Sequence, residues 1–346
     1  MSRNYSLNTY GYKSKLNLLE TEKGIKLIKD NFERKLAKRL KLQRVSAPRF
    51  LATGNGLQDE LDGSQVPVGF KTRFSDNTIE IVHSLAKWKR KAMKEYGFNN
   101  GLGLYTDMDA IRKDEAVSDI HSIYVDQWDW ELIISKEDRN IEFLKKVLTN
   151  IYKAIRKTEK VVEKEFPALK SRLPKNIHFV HAEELEVRFP DLTSKERENM
   201  IAKEHGAVFI IGIGHALSSG IPHDARAADY DDWSTSTGEN TRGLNGDIIV
   251  WDSVKNSALE LSSMGIRVNN ESLVDQLQLL GQTEKSALEY HQDIINERLP
   301  QTIGGGIGQS RLCMFLLQKF HIGEVQASVW PDDMAGFCRE NGIRLL

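Results

Sequence analysis

Gly304-Gly305-Gly306-Ile307-Gly308-Gln309-Ser310-Arg311 runs directly into an apolar stretch, Leu312 to Leu317. Glycines crowded in this way let a backbone come against a flat or charged ligand, because no Cβ stands between them. An arginine one turn into a following helix can then reach a phosphate with a planar fork of donors. Neither common nucleotide fingerprint fits. The dinucleotide pattern G-x-G-x-x-G opens its helix inside the glycine run, and the P-loop needs Gly-Lys followed by Ser or Thr. The expected local structure is a glycine-rich turn ahead of a buried helix, with Cys313 as a core residue of that helix.

Three upstream segments add to it. Glu260-Leu-Ser-Ser-Met-Gly-Ile-Arg267 sets an acid seven positions before an arginine, behind the strand-like run Gly246-Asp247-Ile-Ile-Val-Trp251. Ser84-Leu-Ala-Lys-Trp-Lys89 holds a serine and a lysine five apart, and Arg112-Lys-Asp-Glu115 is followed by Gln127-Trp128-Asp129. Together with G-x-G-x-G-x-x-R at Gly304 to Arg311, these four ordered segments resemble the catalytic core of class II aminoacyl-tRNA synthetases, in its aspartate-handling branch. One departure is Asp114, where that pattern has glutamate two residues after the arginine; Glu115 stands next to it.

The match is closer still to one family. HSLAKWKR (His83 to Arg90), YVDQWDWE (Tyr124 to Glu131), DYDDWST (Asp229 to Thr235), ELSSMGIR and PQTIGGGIGQSR resemble the ammonia-dependent asparagine synthetases, the aspartate–ammonia ligase family, from about Thr21 to Trp330. The resemblance implies an ATP-dependent synthesis of asparagine from aspartate and ammonia through a β-aspartyl adenylate, with AMP and pyrophosphate released. It also implies a class II synthetase-like α+β domain, a mostly antiparallel mixed sheet flanked by helices. By the same resemblance, Arg112 and Arg311 hold the α- and γ-phosphates of ATP, Gly306 and Gly308 lie along the nucleotide, and Asp247 and Glu260 carry Mg²⁺. Lys89 is placed at the reacting carboxylate. Ser84, Gln127, Asp129, Asp231, Ser263, Arg267 and Asp59 surround aspartate, with Asp59 on a loop over the site. Synthetases and asparagine synthetases activate opposite ends of aspartate, so Arg267 is assigned a carboxylate without saying which.

Read by itself, the rest of the chain is consistent with a cytoplasmic enzyme. Its 346 residues are 40% hydrophobic and nearly neutral, enough for one large core without a membrane-length apolar run. Two cysteines make no disulfide framework and suit a reducing compartment. The basic stretch before residue 45 could be a nucleic-acid arm. However, Ile25, Ile28, Phe32, Leu36 and Leu40 recur at helical spacing, so its charges read as the outer face of an amphipathic helix. That helix and a strand up to Val45-Ser-Ala-Pro48 resemble the class II dimerisation element, which implies a homodimer. The expected organisation is an N-terminal extension, residues 1–20, and one catalytic domain, residues 21–346. Strand-like runs come in clusters, which argues for α+β rather than a doubly wound sheet.

Ordinary readings compete at several places. Asp229, Asp231 and Asp232 beside Trp233 could form a solvated turn. Lys87, Lys89, Arg90 and Lys91 could be the polar face of a helix that buries Leu85, Trp88 and Ala92. His215, His223 and Asp224 sit among Gly214, Gly220 and Pro222, which reads as a loop rather than a zinc site. A tRNA synthetase would need an anticodon-binding module, and about twenty residues before Thr21 leave no room for one. A non-catalytic aspartate or AMP sensor would have lost Arg112, Arg311 or the acidic pair, and all are present. The expected partners are therefore aspartate, ATP and free ammonia, without nucleic acid or membrane.

Overall fold

The computed structural model describes residues 7–61 and 65–346; residues 1–6 of the expected extension lie outside the described residues. The first half of the chain runs α1 (Leu18–Leu40), β1 (Leu42–Arg44), β2 (Phe50–Ala52), β3 (Gly69–Thr72), β4 (Ser75–Ile81), α2 (Ala86–Glu95), β5 (Gly103–Ile111), β6 (Tyr124–Ile133) and α3 (Ile141–Glu165). The second half continues with β7 (His178–His181), α4 (Ala182–Arg188), α5 (Ser194–His205), β8 (Ala207–Ile211), β9 (Asn245–Asp252) and β10 (Ser257–Ile266). It closes with α6 (Asn270–Leu279), α7 (Glu289–Ile295), β11 (Thr302–Gly308), α8 (Gln309–Leu316) and α9 (Asp332–Glu340).

Eight strands form one sheet in the order β1-β5-β6-β11-β10-β9-β8-β7, and β2-β4-β3 form a small second sheet. Only the two outermost pairs of the large sheet, β1 with β5 and β7 with β8, are parallel. The inner pairings are antiparallel. This is the expected mixed α+β sheet. Side chains alternate between its faces. Trp128 and Trp130 of β6, and Ile248 and Val250 of β9, join the core under α1, α3 and α8. The intervening Ile249 packs against Ile201 and Ala202 of α5 on the opposite side, where α2 also lies against β6 and β11.

Helix α1 forms because its start is capped and its apolar stripe is continuous. Asn17 and Glu20 make a reciprocal capping box, and Ile28, Phe32, Leu36 and Leu40 are all buried. The helix begins at Leu18, ahead of the boundary expected at residue 20, and the strand expected up to Pro48 ends at Arg44. Among the described residues no helix is long and apolar enough to cross a membrane.

Two expectations about the local structure need correction. The glycine run is not a turn: Gly304 to Gly308 form the C-terminal part of β11, paired between β6 and β10. None of these glycines has a left-handed φ, so what matters there is room. A Cβ on Gly304 would lie 2.5 Å from Glu131 Cδ and 2.6 Å from Arg267 Nη2; one on Gly305 would lie 2.6 Å from Met264 Cβ; one on Gly306 would lie 2.8 Å from Gln127 Cδ. Glycine inside a strand here marks close approach by neighbouring side chains. The second correction concerns α2, which buries charge rather than exposing it. Lys87, Lys89 and Arg90 are buried, and Arg90 donates to the carbonyls of Pro300 and Val268 at 2.9 and 2.6 Å.

Candidate active site

On the α2 side of the sheet, a cavity of about 360 Å³ extends from the middle of β6, β10 and β11 to the loop after β5. Its floor follows from the two-residue period of β6. Gln127, Asp129 and Glu131 share one face, and the two tryptophans between them point into the core. Neighbouring strands supply Arg267 and the glycines.

At one end lies a closed set of ion pairs. Lys89 donates to Asp129 Oδ1 at 2.7 Å and to the Gly305 carbonyl at 3.0 Å, with Glu131 at 4.0 Å. Arg267 turns its Nε and Nη2 edge onto Glu131 at 2.9–3.2 Å and gives Nη1 to Asp231. Two acids of the chain thus already hold Arg267, which leaves only its remaining N–H donors for any carboxylate ligand. Burial would raise the Glu131 carboxyl, but Arg267 and Lys89 beside it hold it below the ordinary range. The second oxygen of Asp129 is buried and has no hydrogen-bond partner among the described residues. A buried carboxylate oxygen is not left idle without cost, so this acceptor suits a cationic ligand group.

Asp59 is brought to the same end. Ser84 Oγ donates to its Oδ2 at 2.6 Å, and the loop is tied to the start of α2 by His83 Nδ1 against the Asp59 carbonyl at 3.1 Å. Asp229, Asp231 and Asp232 are not a solvated turn; all three are buried. Asp229 pairs with Lys87 at 2.8 Å and His291 at 3.0 Å, and Asp232 receives Arg139 at 2.5 Å. Asp231 alone of the three lines the cavity. His223 contacts Glu198 at 3.2 Å.

The other end is cationic and far less satisfied. Arg112 reaches only the His83 carbonyl, at 3.3 and 3.4 Å, and has no carboxylate partner among the described residues. Arg311 lies 3.6 Å from Glu260. Glu115, not Asp114, faces this end; Asp114 turns outward to Lys113. Burial pushes His121 down to about 4, with the Arg311 charge adding to the effect.

Between the ends sit the two acids expected to carry a metal. A bulge between Glu260 and Ser262 shifts the register of β10 against β9, which turns Glu260 to the same side as Ser263 and Asp247. Burial would raise the Glu260 carboxyl, but Arg311 and Arg226 overcome it and hold it low. Asp247 behaves oppositely: burial pushes it up to about 6 against the pull of Arg226, and Glu260 adds to the rise. It does not line the cavity itself. Its carboxylate is covered by Arg226, whose Nη2 lies 2.6 and 2.5 Å from its two oxygens.

Most of the expected residues therefore converge on one cavity: Asp59, Ser84, Lys89, Arg112, Gln127, Asp129, Asp231, Glu260, Ser263, Arg267, Gly306, Gly308 and Arg311. Asp247 lies just behind it. Reading the sequence missed Glu131 and Arg226. Glu131 was within reach, since Gln127, Asp129 and Glu131 alternate with tryptophans as polar residues on one strand face do. Arg226 gives no such signal, because it sits in a segment without periodicity.

The profile of a family described as aspartate–ammonia ligase matches residues 19–342. A protein of that name from Parabacteroides distasonis is 52% identical over 343 residues, 99% of each chain. Another, from Fusobacterium nucleatum, is 54% identical over 335 residues, or 97% of this chain and 99% of its own. Among solved structures, asparaginyl-tRNA synthetase from Pyrococcus horikoshii complexed with asparaginyl-adenylate aligns with a TM-score of 0.67 at 14% identity, over 90% of this chain and 70% of that one. An aspartyl-tRNA synthetase from Entamoeba histolytica aligns with a TM-score of 0.59 at 14% identity, over 88% and 57% of the two chains. At such identity the likeness speaks for the fold alone, that of class II synthetase catalytic domains.

Proposed function

Because the chain belongs to the aspartate–ammonia ligase family, C–N ligases that make asparagine from aspartate and ammonia, we propose that it works in two steps through a β-aspartyl adenylate. In the first, a β-carboxylate oxygen of aspartate attacks the α-phosphorus of ATP, and the bond to pyrophosphate breaks. In the second, ammonia attacks the β-carbonyl carbon and AMP leaves. One observation carries this reading. The cavity joins a set of internally paired charges to an end where Arg112 and Arg311 are left with weak partners.

In this reading Asp129 and Gln127 take the α-ammonium, using the Asp129 oxygen that has no partner among the described residues. Arg267 takes the α-carboxylate with its remaining donors, since a carboxylate neutralised by arginine is a poor nucleophile. Lys89 guides the β-carboxylate, and Asp59, Ser84, Asp231 and Ser263 close that end of the cavity. Arg112 grips the α-phosphate and Arg311 the γ-phosphate, with Gly306 and Gly308 giving the nucleotide room. Two anions are thereby brought together by fixed cations, and positioning and electrostatics provide the rate. The donor set suits Mg²⁺: Glu260 is a low-pKa carboxylate in the cavity, electrostatically linked to Asp247 on the next strand. Asp247 and Glu260 would hold the ion, which would supply charge neutralisation at the ATP phosphates. A homodimer in the cytoplasm completes the proposal.

The direct test is ATP–pyrophosphate exchange with aspartate, run with and without ammonia and tRNA. Exchange should need aspartate but neither addition. Exchange that appears only with tRNA would place the chain with the tRNA synthetases. In the same assay Arg311→Ala should raise the KM for ATP by an amount equivalent to about 1.5–3 kcal/mol, the worth of a charge-assisted hydrogen bond, and leave that for aspartate nearly unchanged. Equal losses for both substrates would mean that the variant disturbs β11.

The second step predicts a particular pH dependence. His121 stays neutral and Glu260 stays ionised above neutrality. Asparagine formation at fixed total ammonium should therefore rise through the mildly alkaline range, in proportion to unprotonated ammonia. Replotted against free ammonia, the rates should fall on one curve; a persistent pH dependence would require a titrating base in the protein. Glutamine should be a poor donor.

A further inference from the structure

Arg226 occupies the position that the proposed metal pair needs. Its Nη2 lies 2.6 and 2.5 Å from the two oxygens of Asp247 and 3.3 Å from Ser263 Oγ. Its Nε is buried and finds no hydrogen-bond partner among the described residues. It also lines the cavity with Ala225 and Ala227, in a segment outside any helix or strand. Gly214 leaves room for it, because a Cβ there would lie 2.9 Å from Arg226 Cβ. The Nη1 of Arg226 donates to the Ala225 carbonyl of its own irregular segment at 2.9 Å, so among the described residues Nη2 alone ties the guanidinium to Asp247 and Ser263.

We propose that Arg226 is a built-in counter-ion for Asp247 that changes partner during the reaction. Without nucleotide its guanidinium neutralises Asp247 and keeps a divalent cation off the site. When the cation arrives with ATP, Asp247 can serve only one of the two positive charges. Arg226 then turns from Asp247 to the β- and γ-phosphates, where it pairs with the departing pyrophosphate alongside Arg311. Like charges in a partly dry site repel strongly, so metal and guanidinium are alternative partners. This rests on the adenylation reading and deepens it, making nucleotide and metal binding a single coupled event.

The test uses the full-length protein with Mn²⁺ as a spectroscopic stand-in for Mg²⁺. Free Mn²⁺ is measured by electron paramagnetic resonance without nucleotide, and the KM for pyrophosphate is measured by exchange. Arg226→Gln should bind Mn²⁺ at least tenfold more tightly than the wild type and need at least tenfold more pyrophosphate. Arg226→Lys, which keeps the charge, should stay near the wild type in Mn²⁺ affinity. Arg226→Gln combined with Asp247→Asn removes both buried charges and should lose the gained Mn²⁺ affinity while staying folded by circular dichroism. Unchanged Mn²⁺ affinity in Arg226→Gln, an unchanged pyrophosphate KM, or Mn²⁺ binding by Arg226→Lys as tight as by Arg226→Gln would overturn the exchange of partners. Absence of aspartate-dependent exchange in the wild type would instead remove the adenylation reading beneath it.

Discussion

Lys89→Met is expected to abolish aspartate-dependent pyrophosphate exchange and to lower the melting temperature measurably. The two losses have separate causes. The ammonium is the group placed to guide the reacting carboxylate, and removing one preorganised electrostatic contact of this kind costs a rate factor of about 10²–10³. The stability loss arises because Lys89 is 1% exposed and pairs with Asp129 at 2.7 Å. Taking away one partner of a buried pair leaves an uncompensated charge, worth about 3–5 kcal/mol. Methionine keeps the packing of the stem, so the lost stability reports charge rather than a cavity. Adding Asp129→Asn should recover much of the melting temperature without restoring exchange. Near-normal exchange in Lys89→Met would reduce the lysine to a structural counter-ion.

Arg112→Ala is the complementary case: a comparable loss of activity with almost no change in stability. Among the described residues its guanidinium meets one backbone carbonyl, at 3.3 and 3.4 Å, so the folded protein should lose little when it is removed. A planar fork on the α-phosphate acts where charge develops as pyrophosphate leaves, and exchange should fall by about 10²-fold or more. Arg112→Lys should recover only part of this, since a point charge does not reproduce two parallel donors. A large fall in melting temperature, or wild-type exchange, would contradict the assignment to phosphate.

The order of the four motif segments was legible in the sequence because strand spacing is rigid. Gln127 and Asp129 must share a face, and Arg311 must follow the glycines by a fixed interval. What those segments look like was less legible. From sequence the glycines of β11 read as a turn because glycine permits left-handed backbone, whereas here they make room for Glu131, Met264 and Gln127. The charges of α2 suit a solvated face in the sequence because charges usually point outward. Beside a polar cavity the rule reverses, and Lys87, Lys89 and Arg90 find buried partners. The local sequence likewise gives no sign that Glu131 and Asp231 hold Arg267. The bulge that turns Glu260 toward Ser263 depends on its pairing with β9, which the local sequence does not contain.

The central claim concerns which bond of aspartate is activated and by what. It is tested by supplying aspartate labelled with ¹⁸O in its β-carboxylate, together with ATP, Mg²⁺ and ammonia, and weighing the products. Activation through a β-aspartyl adenylate transfers one labelled oxygen to AMP for each asparagine formed and leaves pyrophosphate unlabelled. Label in inorganic phosphate alongside ADP, or asparagine formed without label in AMP, would contradict the account.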